Sequence, residues 1–262
     1  MSNSILDLIQ PDAVVMFVGV HPDDETLVAP LLAYAADRCR EVIMFSLTQG
    51  ESGWNLHKED LTRTMAQVRH AEFRAAAEIL ACTPIMFDYV NGTSKAHPDG
   101  LAVLDLEDQA KTRRTAPGGH DASPEAARQR WTSQNGDPVA RLAQLFGEKQ
   151  PDLLITFDPE KGYTGHTEHI ALVPIVLEAA RQYNRNARKP AELYYFYNPD
   201  DNVEDAEIVV SRKLNEAGDK DYLKLSLESK ACYQSQYGTR GSERSLKSLT
   251  PRTRLCLKRV VL

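Results

Sequence analysis

Short apolar runs alternate with longer segments of helical periodicity along this chain. The runs rich in Val, Ile, Leu and Phe predict strands, and they cover residues 14–20, 41–48, 85–90, 153–157 and 193–197. The spacing of apolar residues predicts helices at 26–38, 60–80, 124–150 and around 170–180. Strands that alternate with helices are typical of strand-helix-strand units, so we predict an α/β fold with a mainly parallel sheet flanked by helices.

Two predicted helices contain residues that interrupt helices. A Gly-Asp-Pro sequence at 136–138 divides the segment 124–150, and we expect a break there. Pro174 lies inside the helix around 170–180. Because proline removes a backbone hydrogen bond, we expect it to bend or shorten that helix.

The segment 91–123 is rich in Gly, Pro, Thr and charged residues and has little periodicity. Loops of this length in compact domains are often binding loops or lids, so we predict an insertion or lid loop here. The chain length of 262 residues suits one domain, 1–262, with 200–262 as its C-terminal extension.

Composition and charge exclude several classes of protein. A hydrophobic fraction of 42% and a charged fraction of 26% argue against fibrous, disordered and membrane proteins. The formal net charge of -6 argues against broad binding to nucleic acid or to an anionic membrane. We interpret the Arg and Lys residues of the C-terminal tail as a solvated surface. No basic region precedes the first apolar run, so we expect neither a signal peptide nor a membrane span, and a cytoplasmic protein.

The cysteines offer no metal site. Cys39, Cys82, Cys232 and Cys256 are far apart and show no CxxC spacing, so we predict reduced, mostly buried thiols. Any metal must therefore use other ligands.

A histidine and three acids follow the first predicted strand directly, as HPDDE at residues 21–25. Ligands bind at the carboxyl ends of the strands in open α/β sheets, which makes this the first place to look for chemistry. The alternative is a strand-to-helix turn in which Asp23 or Asp24 caps the next helix. A cap needs only one acid, and the cluster therefore favours a site.

A second cluster, GYTGHTEH at residues 162–169, follows the fourth predicted strand. If a helix begins near Thr167, His166 and His169 lie one turn apart and face the same site. Two histidines and a carboxylate from the two strand ends form a three-ligand set that leaves one position for water, as catalytic zinc sites do.

Four motifs in this order resemble the PIG-L, or LmbE-like, N-deacetylase family. They are HPDDE at 21–25, TQGESG at 48–53, Arg69-x-x-Glu72 and GHxxH at 165–169, and the resemblance runs from about residue 14 to residue 182. It implies a Rossmann-like sheet and one divalent metal per chain, Zn²⁺ or another such as Fe²⁺. It also implies hydrolysis of an N-acyl group, first of all N-acetyl, on a small amino-sugar substrate or conjugate.

The family roles carry over residue by residue. His21, Asp24 and His169 match the metal ligands, and Asp23 matches the general base that takes a proton from the zinc-activated water and returns it to the amine. His166 matches the histidine that stabilises the oxyanion, and we expect it to act in its cationic form.

The sequence departs from the family pattern around the substrate. Thr167-Glu168 replaces the usual Pro-Asp, so Glu168 is the carboxylate expected to pair with His166. Asn91-Gly92 replaces Asp-Gly after the third strand, and Tyr233 replaces a histidine. The resemblance implies that Arg69, Glu51 and Asn91 contact the substrate. For Arg69, an ordinary helical ion pair with Glu72 is the alternative.

Other functions remain open at this point. The nearest is an amidase that acts on a non-sugar amide or a sugar-thiol conjugate, because the metal motif specifies the bond more than the molecule. A catalytically silent sugar-binding protein is a second alternative, but it would not need both a water-activating acid and an open metal position. A dinucleotide-binding module is disfavoured because no GxGxxG follows the first strand. The sequence does not determine the oligomeric state.

Overall fold

The computed structural model describes residues 4–53, 63–92, 123–238, 249–250 and 252–262. Within them, one sheet contains seven strands in the order β3-β2-β1-β4-β5-β7-β6. The strands are β1 (Val14–Gly19), β2 (Glu41–Thr48), β3 (Thr83–Tyr89), β4 (Leu153–Phe157), β5 (Glu192–Tyr197), β6 (Glu207–Val210) and β7 (Arg254–Val260).

The first five strands are parallel, and β7 is antiparallel to both β5 and β6. The strand order reverses between β1 and β4, which are hydrogen-bonded neighbours. In open α/β sheets this reversal point is where ligands bind, beyond the carboxyl ends of the strands. The predicted α/β fold with a mainly parallel sheet is confirmed.

Helices cover both faces of the sheet's parallel part, as the strand-helix-strand pattern requires. They are α1 (Ala29–Ala36), α2 (Met65–Leu80), α3 (Pro124–Asn135), α4 (Pro138–Lys149), α5 (Thr167–Asn184), α6 (Ser211–Ala217), α7 (Tyr222–Lys230) and α8 (Gln234–Tyr237). Two single-turn 3-10 helices, Ile5–Leu8 and Asp24–Leu27, precede β1 and α1.

Local sequence explains why these elements begin and end where they do. Every residue of β1 and of β4 is buried, which matches their continuous apolar runs. A capping box of Thr64 and Gln67 starts α2. Gly136, with φ 82°, separates α3 from α4 as the sequence predicts.

Two segments differ in part from what the sequence predicts. The C-terminal basic tail exposes Arg254 and Arg259, as expected of a solvated surface, but it also forms β7, which lies between β5 and β6 and buries Leu255, Cys256 and Leu257. Pro174 does not shorten α5, which continues for ten residues beyond it to Asn184. The buried apolar face of that helix offsets the hydrogen bond that proline removes.

Other expectations are confirmed only in part or concern residues outside those described. Most of the predicted lid, residues 93–122, lies outside the described residues, so the lid stays a prediction. All four cysteines are unpaired as expected, but only Cys256 is buried and the others are half-buried. Among the helices described, none has the length and apolar character to cross a bilayer.

Candidate active site

Side chains from β1 and β4 meet where the sheet's strand order reverses. His21 follows β1, Asp24 begins the 3-10 helix after it, and His169 lies in the first turn of α5 after β4. His21 Nδ1 lies 3.2 Å from His169 Nε2, and that nitrogen lies 3.1 Å from Asp24 Oδ1. The other Asp24 oxygen, Oδ2, lies 3.8 Å from His21 Nδ1. Three potential metal ligands therefore point at one small volume.

These distances fit a tetrahedrally coordinated divalent ion. Ligand atoms that bind zinc at about 2.0–2.1 Å with tetrahedral angles lie about 3.3 Å apart, close to the separations found here. The ring nitrogens of His21, His166 and His169 also lie within 4.8 Å of one another. Asp24 Oδ1, at 3.1 Å from His169 Nε2, lies at the same place, so both Asp24 and His166 are near enough to join the two histidines in holding a metal.

The second nitrogen of each histidine ligand is held by a hydrogen bond. His21 Nε2 donates to Glu168 Oε2 at 2.7 Å, and His169 Nδ1 donates to the Gly162 carbonyl at 3.0 Å. These bonds fix the tautomers that leave His21 Nδ1 and His169 Nε2 without a proton and free to bind a cation. The residues present thus fit a bound metal in both geometry and protonation.

Asp24 is held in place from behind. Its Oδ2 accepts hydrogen bonds from the backbone N–H groups of Val20 and His21, at 2.9 and 2.8 Å. Burial alone would raise the pKa of Asp24, but the charge and hydrogen bond of His169 and the charge of His21 outweigh it and lower the pKa. Asp24 is thus an ionised carboxylate with a fixed orientation.

Packing fixes the position of His169. Its ring stacks on Phe157 with centroids 4.0 Å apart and planes 12° apart. Gly162, with φ 53°, approaches so closely that a Cβ there would lie 2.6 Å from the His169 Cβ. Glycine is therefore required at 162, both for the backbone conformation and for the approach to the ligand.

Asp23 adopts an unusual backbone conformation, with φ 107° and ψ −13°. Non-glycine residues in such conformations are costly and are concentrated at functional sites. Arg69 NH2 lies 3.1 Å from Asp23 Oδ1, and the Tyr237 hydroxyl lies 3.4 Å from Asp23 Oδ2. Burial raises the pKa of Asp23, although the charge of Arg69 opposes this. A base of raised pKa is better suited to proton transfer near neutral pH.

A buried acid, Glu25, contacts the backbone of Asp23. Glu25 Oε2 accepts a hydrogen bond from the Asp23 backbone N–H at 3.1 Å, and Glu25 Oε1 accepts one from the Tyr233 hydroxyl at 2.6 Å. Burial raises the pKa of Glu25 to about 8. Tyr233, which replaces a histidine of the family pattern, is fully buried and supports this carboxyl.

His166 lies beside the two histidine ligands, with its ring centroid 4.8 Å from each of theirs. Its Nδ1 accepts a hydrogen bond from the Glu168 backbone N–H at 3.2 Å, so it caps α5 and is left with Nε2 as its donor. Burial, and then the charges of His21 and His169, lowers the pKa of His166 to about 3. These surroundings disfavour the cationic form expected for His166.

The residues predicted to contact substrate form ion pairs and hydrogen bonds with other residues of the chain. Arg69 is 2% exposed, and besides Asp23 it lies 3.7 Å from Glu72 Oε2 and donates to the Pro22 carbonyl. Glu51 Oε1 accepts a hydrogen bond from the Asn91 backbone N–H at 2.6 Å. Asn91 Nδ2 donates to Glu168 Oε2 at 2.6 Å, and Asn91 is 5% exposed. That these side chains contact substrate stays a prediction.

Glu168 does not pair with His166 as expected, because its carboxylate turns toward His21 and accepts hydrogen bonds from several donors. One of those donors is Arg130, whose NH2 lies 2.6 Å from Glu168 Oε1. Nothing in the sequence singles out Arg130, since it is one arginine on a largely polar helix and its partner is 38 positions away.

Residues 16–180, well over half of the chain, match the family described as PIG-L, GlcNAc-PI de-N-acetylase. The chain belongs to this family. Among curated relatives, a 1D-myo-inositol 2-acetamido-2-deoxy-alpha-D-glucopyranoside deacetylase of Mycolicibacterium smegmatis is 29% identical over 59% of this chain and 49% of its own length. The enzyme of the same name from Kineococcus radiotolerans is 27% identical over 78% of this chain and 56% of its own. The chain thus spans about half the length of these relatives.

Solved structures of low sequence identity share the fold. A zinc-inhibited form of the teicoplanin deacetylase Orf2 has a TM-score of 0.61 at 16% identity and covers 95% of this chain and 99% of its own. N,N'-diacetylchitobiose deacetylase from Pyrococcus horikoshii has a TM-score of 0.60 at 16% identity, over 98% and 87%. GalB, a 4-carboxy-2-hydroxymuconate hydratase of Pseudomonas putida, has a TM-score of 0.54 at 15% identity, over 95% and 97%. Since one neighbour is a hydratase, the fold alone does not decide the reaction.

Proposed function

We propose that this protein is a metal-dependent hydrolase that removes an N-acyl group, first of all acetyl, from an amino-sugar substrate. The observation that carries the proposal is the convergence of His21 Nδ1, Asp24 Oδ1 and His169 Nε2, with the carboxylate of Asp23 next to them in sequence. Membership of the PIG-L family and the names of the relatives support the same reaction.

The residues of the site divide the chemistry of amide hydrolysis among them. A zinc ion bound there would lower the pKa of a water molecule in its open position and polarise the acyl carbonyl. Asp23 accepts a proton from the attacking water and later delivers it to the departing amine, because one carboxyl can act first as base and then as acid. Arg69 and Tyr237 hold the Asp23 carboxylate in position for both transfers.

His166 serves as a neutral hydrogen-bond donor. Because its Nδ1 accepts from the backbone of Glu168, its Nε2 carries the proton. An Nε2–H aimed at the substrate stabilises the oxyanion that develops on the acyl carbonyl, and removal of such a donor costs about 3 to 4 kcal/mol in the transition state. This role needs no positive charge on His166.

We propose zinc as the metal, with another divalent ion such as Fe²⁺ as the alternative. Two imidazoles, one carboxylate and an open position form a donor set common in catalytic zinc sites. A site of two histidines and one carboxylate also suits non-haem Fe²⁺, so the donor atoms alone do not separate the two ions.

An amidase that acts on a non-sugar amide is the second candidate. It is favoured by the contacts of Arg69 and Asn91, since Asp23, Glu72 and Glu168 already engage these side chains. A sugar ring would therefore need other contacts, or a rearrangement of these two residues on binding. The acyl-transfer residues are the same for either substrate.

The test is to incubate the zinc-loaded protein with N-acetylated glucosamine derivatives and with non-sugar N-acetyl amides, and to follow amine release. A chelated sample and the Asp23→Asn variant serve as controls. Chelator-sensitive release from the sugars alone is the expected result. Release from the non-sugar amides alone would favour the amidase, and no release from a zinc-loaded protein on either set would contradict the proposal.

A further inference from the structure

We propose that Arg130 is a positioning residue for the metal, acting through the carboxylate of Glu168 on His21. The inference rests on the proposed metal site and extends it to α3, which contributes no ligand. Two hydrogen-bonded steps join Arg130 to the ligand: Arg130 NH2 donates to Glu168 Oε1 at 2.6 Å, and His21 Nε2 donates to Glu168 Oε2 at 2.7 Å. Each carboxylate oxygen thus takes one of the two partners.

The charge balance around Glu168 gives Arg130 its importance. The Glu168 side chain is fully buried, and an unpaired buried carboxylate is strongly destabilising. The described residues that form ion pairs with it are His21 and Arg130. A histidine that binds a metal through one nitrogen is a neutral ligand, so Arg130 then provides the formal positive charge beside Glu168.

Neutral donors also contact Glu168 but cannot replace that charge. The Gly92 backbone N–H donates to Oε1 at 2.9 Å, and Asn91 Nδ2 donates to Oε2 at 2.6 Å. Asn91 Nδ2 lies 3.1 Å from His21 Nε2 as well, and because both are donors they share Glu168 Oε2 as their acceptor. Each oxygen of Glu168 therefore accepts from two donors, and Arg130 is the charged donor to Oε1.

The guanidinium of Arg130 is itself held in position. Its NH1 donates to the Val90 carbonyl at the end of β3, and its Cζ lies 5.6 Å from the centre of the Trp131 ring. Trp131 is fully buried and donates from Nε1 to the same carbonyl at 3.1 Å. The packing of α3 against β3 thus positions Arg130, which orients Glu168, and Glu168 in turn orients His21.

This arrangement predicts an effect on metal affinity without any change in a ligand. The experiment is to measure the zinc dissociation constant of the full chain by competition with a chromophoric chelator. We expect Arg130→Met to weaken zinc binding about 10- to 100-fold, the range found when partners of ligating histidines are removed. Arg130→Lys, which retains the charge, should restore much of the loss.

Arg128→Met is the matched control. Arg128 lies on the same helix and pairs with Glu125 on the surface, 3.3 Å away, so this variant should bind zinc as the native protein does. The Co²⁺-loaded proteins supply a second readout. The visible spectrum should change in Arg130→Met and stay native in Arg128→Met, because only the former disturbs the orientation of a ligand.

A double-mutant cycle separates this role from mere attachment of α3 to β3. If Arg130 acts through Glu168, the double variant Arg130→Met/Glu168→Gln should bind zinc about as weakly as Glu168→Gln alone. Additive losses would overturn the proposal, as would native affinity in Arg130→Met. If Arg130→Met does not fold, as judged by circular dichroism and thermal unfolding, the cycle is run with Arg130→Gln, which also removes the charge, and decides in the same way.

The outcome is independent of the substrate. A native zinc affinity in Arg130→Met would remove this inference and leave the proposed reaction standing. A native protein that binds zinc but hydrolyses no amide would contradict the proposed reaction and leave the role of Arg130 standing.

Discussion

His21 Nδ1 lies 3.2 Å from His169 Nε2, although 148 positions separate the two residues in the chain. Each histidine follows a strand, and the two strands, β1 and β4, are neighbours in the sheet. The second nitrogen of each ring donates to a protein acceptor, which directs the two unprotonated nitrogens at each other. Such an arrangement is stable when a cation lies between them.

Removal of a ligand should abolish metal binding and activity together. We expect Asp24→Ala and His169→Ala to bind less than a tenth of the native zinc, measured by elemental analysis after dialysis, because each loses one of three ligands. His70→Ala, at an exposed histidine of α2, is the control and should retain native metal content. Normal zinc stoichiometry in both ligand variants would refute the assignment.

Loss of the base should separate metal binding from turnover. Asp23→Asn should retain zinc and lower kcat by about 10²- to 10⁴-fold, because the amide cannot accept the proton from water. Asp12→Asn, at an exposed acid before the amino end of β1, should keep native kcat. An unchanged rate in Asp23→Asn would remove this residue from the base role.

Two glycines with positive φ allow a test of packing at His169. Gly162 and Gly136 both have positive φ, 53° and 82°, so alanine is strained at either position. A Cβ at 162 would meet the His169 Cβ at 2.6 Å, whereas one at 136 would meet nothing within 4 Å. We expect both variants to lose at least about 1 kcal/mol of stability from backbone strain, while only Gly162→Ala weakens zinc binding. Equal zinc affinity in the two would show that the close approach is not required.

Lys230 predicts a pH dependence of stability. Burial, and then the charge of Arg252, lowers the pKa of Lys230 from 10.5 to about 8, although Asp23 opposes this. The unfolded chain therefore binds more protons than the folded one between these values. The free energy of unfolding of the native protein, relative to that of Lys230→Met, should be at its maximum above pH 10.5. It should decrease as the pH falls from 10.5 to about 8. After allowance for solvent screening, this relative free energy of unfolding should change by about 1 to 2 kcal/mol over that pH range.

Urea unfolding at pH 8 to 10.5 measures this difference, on protein freed of metal so that ligand binding does not contribute. Lys224→Met is the control, since Lys224 lies on the same helix with its side chain 70% exposed. A difference between the native protein and Lys230→Met that stays constant over this range would contradict the lowered pKa.

The sequence by itself determined the parallel part of the fold. The bounds predicted for the strands at 41–48 and 153–157 agree with β2 (Glu41–Thr48) and β4 (Leu153–Phe157). This was possible because a strand buried on both faces has a continuous apolar run, which is a local property. The sequence also indicated which polar clusters follow which strands, and hence which histidines and acids would meet.

The C-terminal strands and the partners of individual side chains were decided only by the tertiary structure. β7 has only a short apolar run, Leu255 to Leu257, with Arg254 before it and Lys258 and Arg259 after it, so it did not stand out as a strand until it lay between β5 and β6. Glu168 is one residue from His169 in sequence, yet its carboxylate pairs with His21 and Arg130. A sequence motif specifies which groups are near one another along the chain, but the direction of a buried carboxylate depends on cations brought close by strand order and helix packing. For that reason the proximity of His21, Asp24 and His169 could be predicted, and the partners that orient their side chains could not.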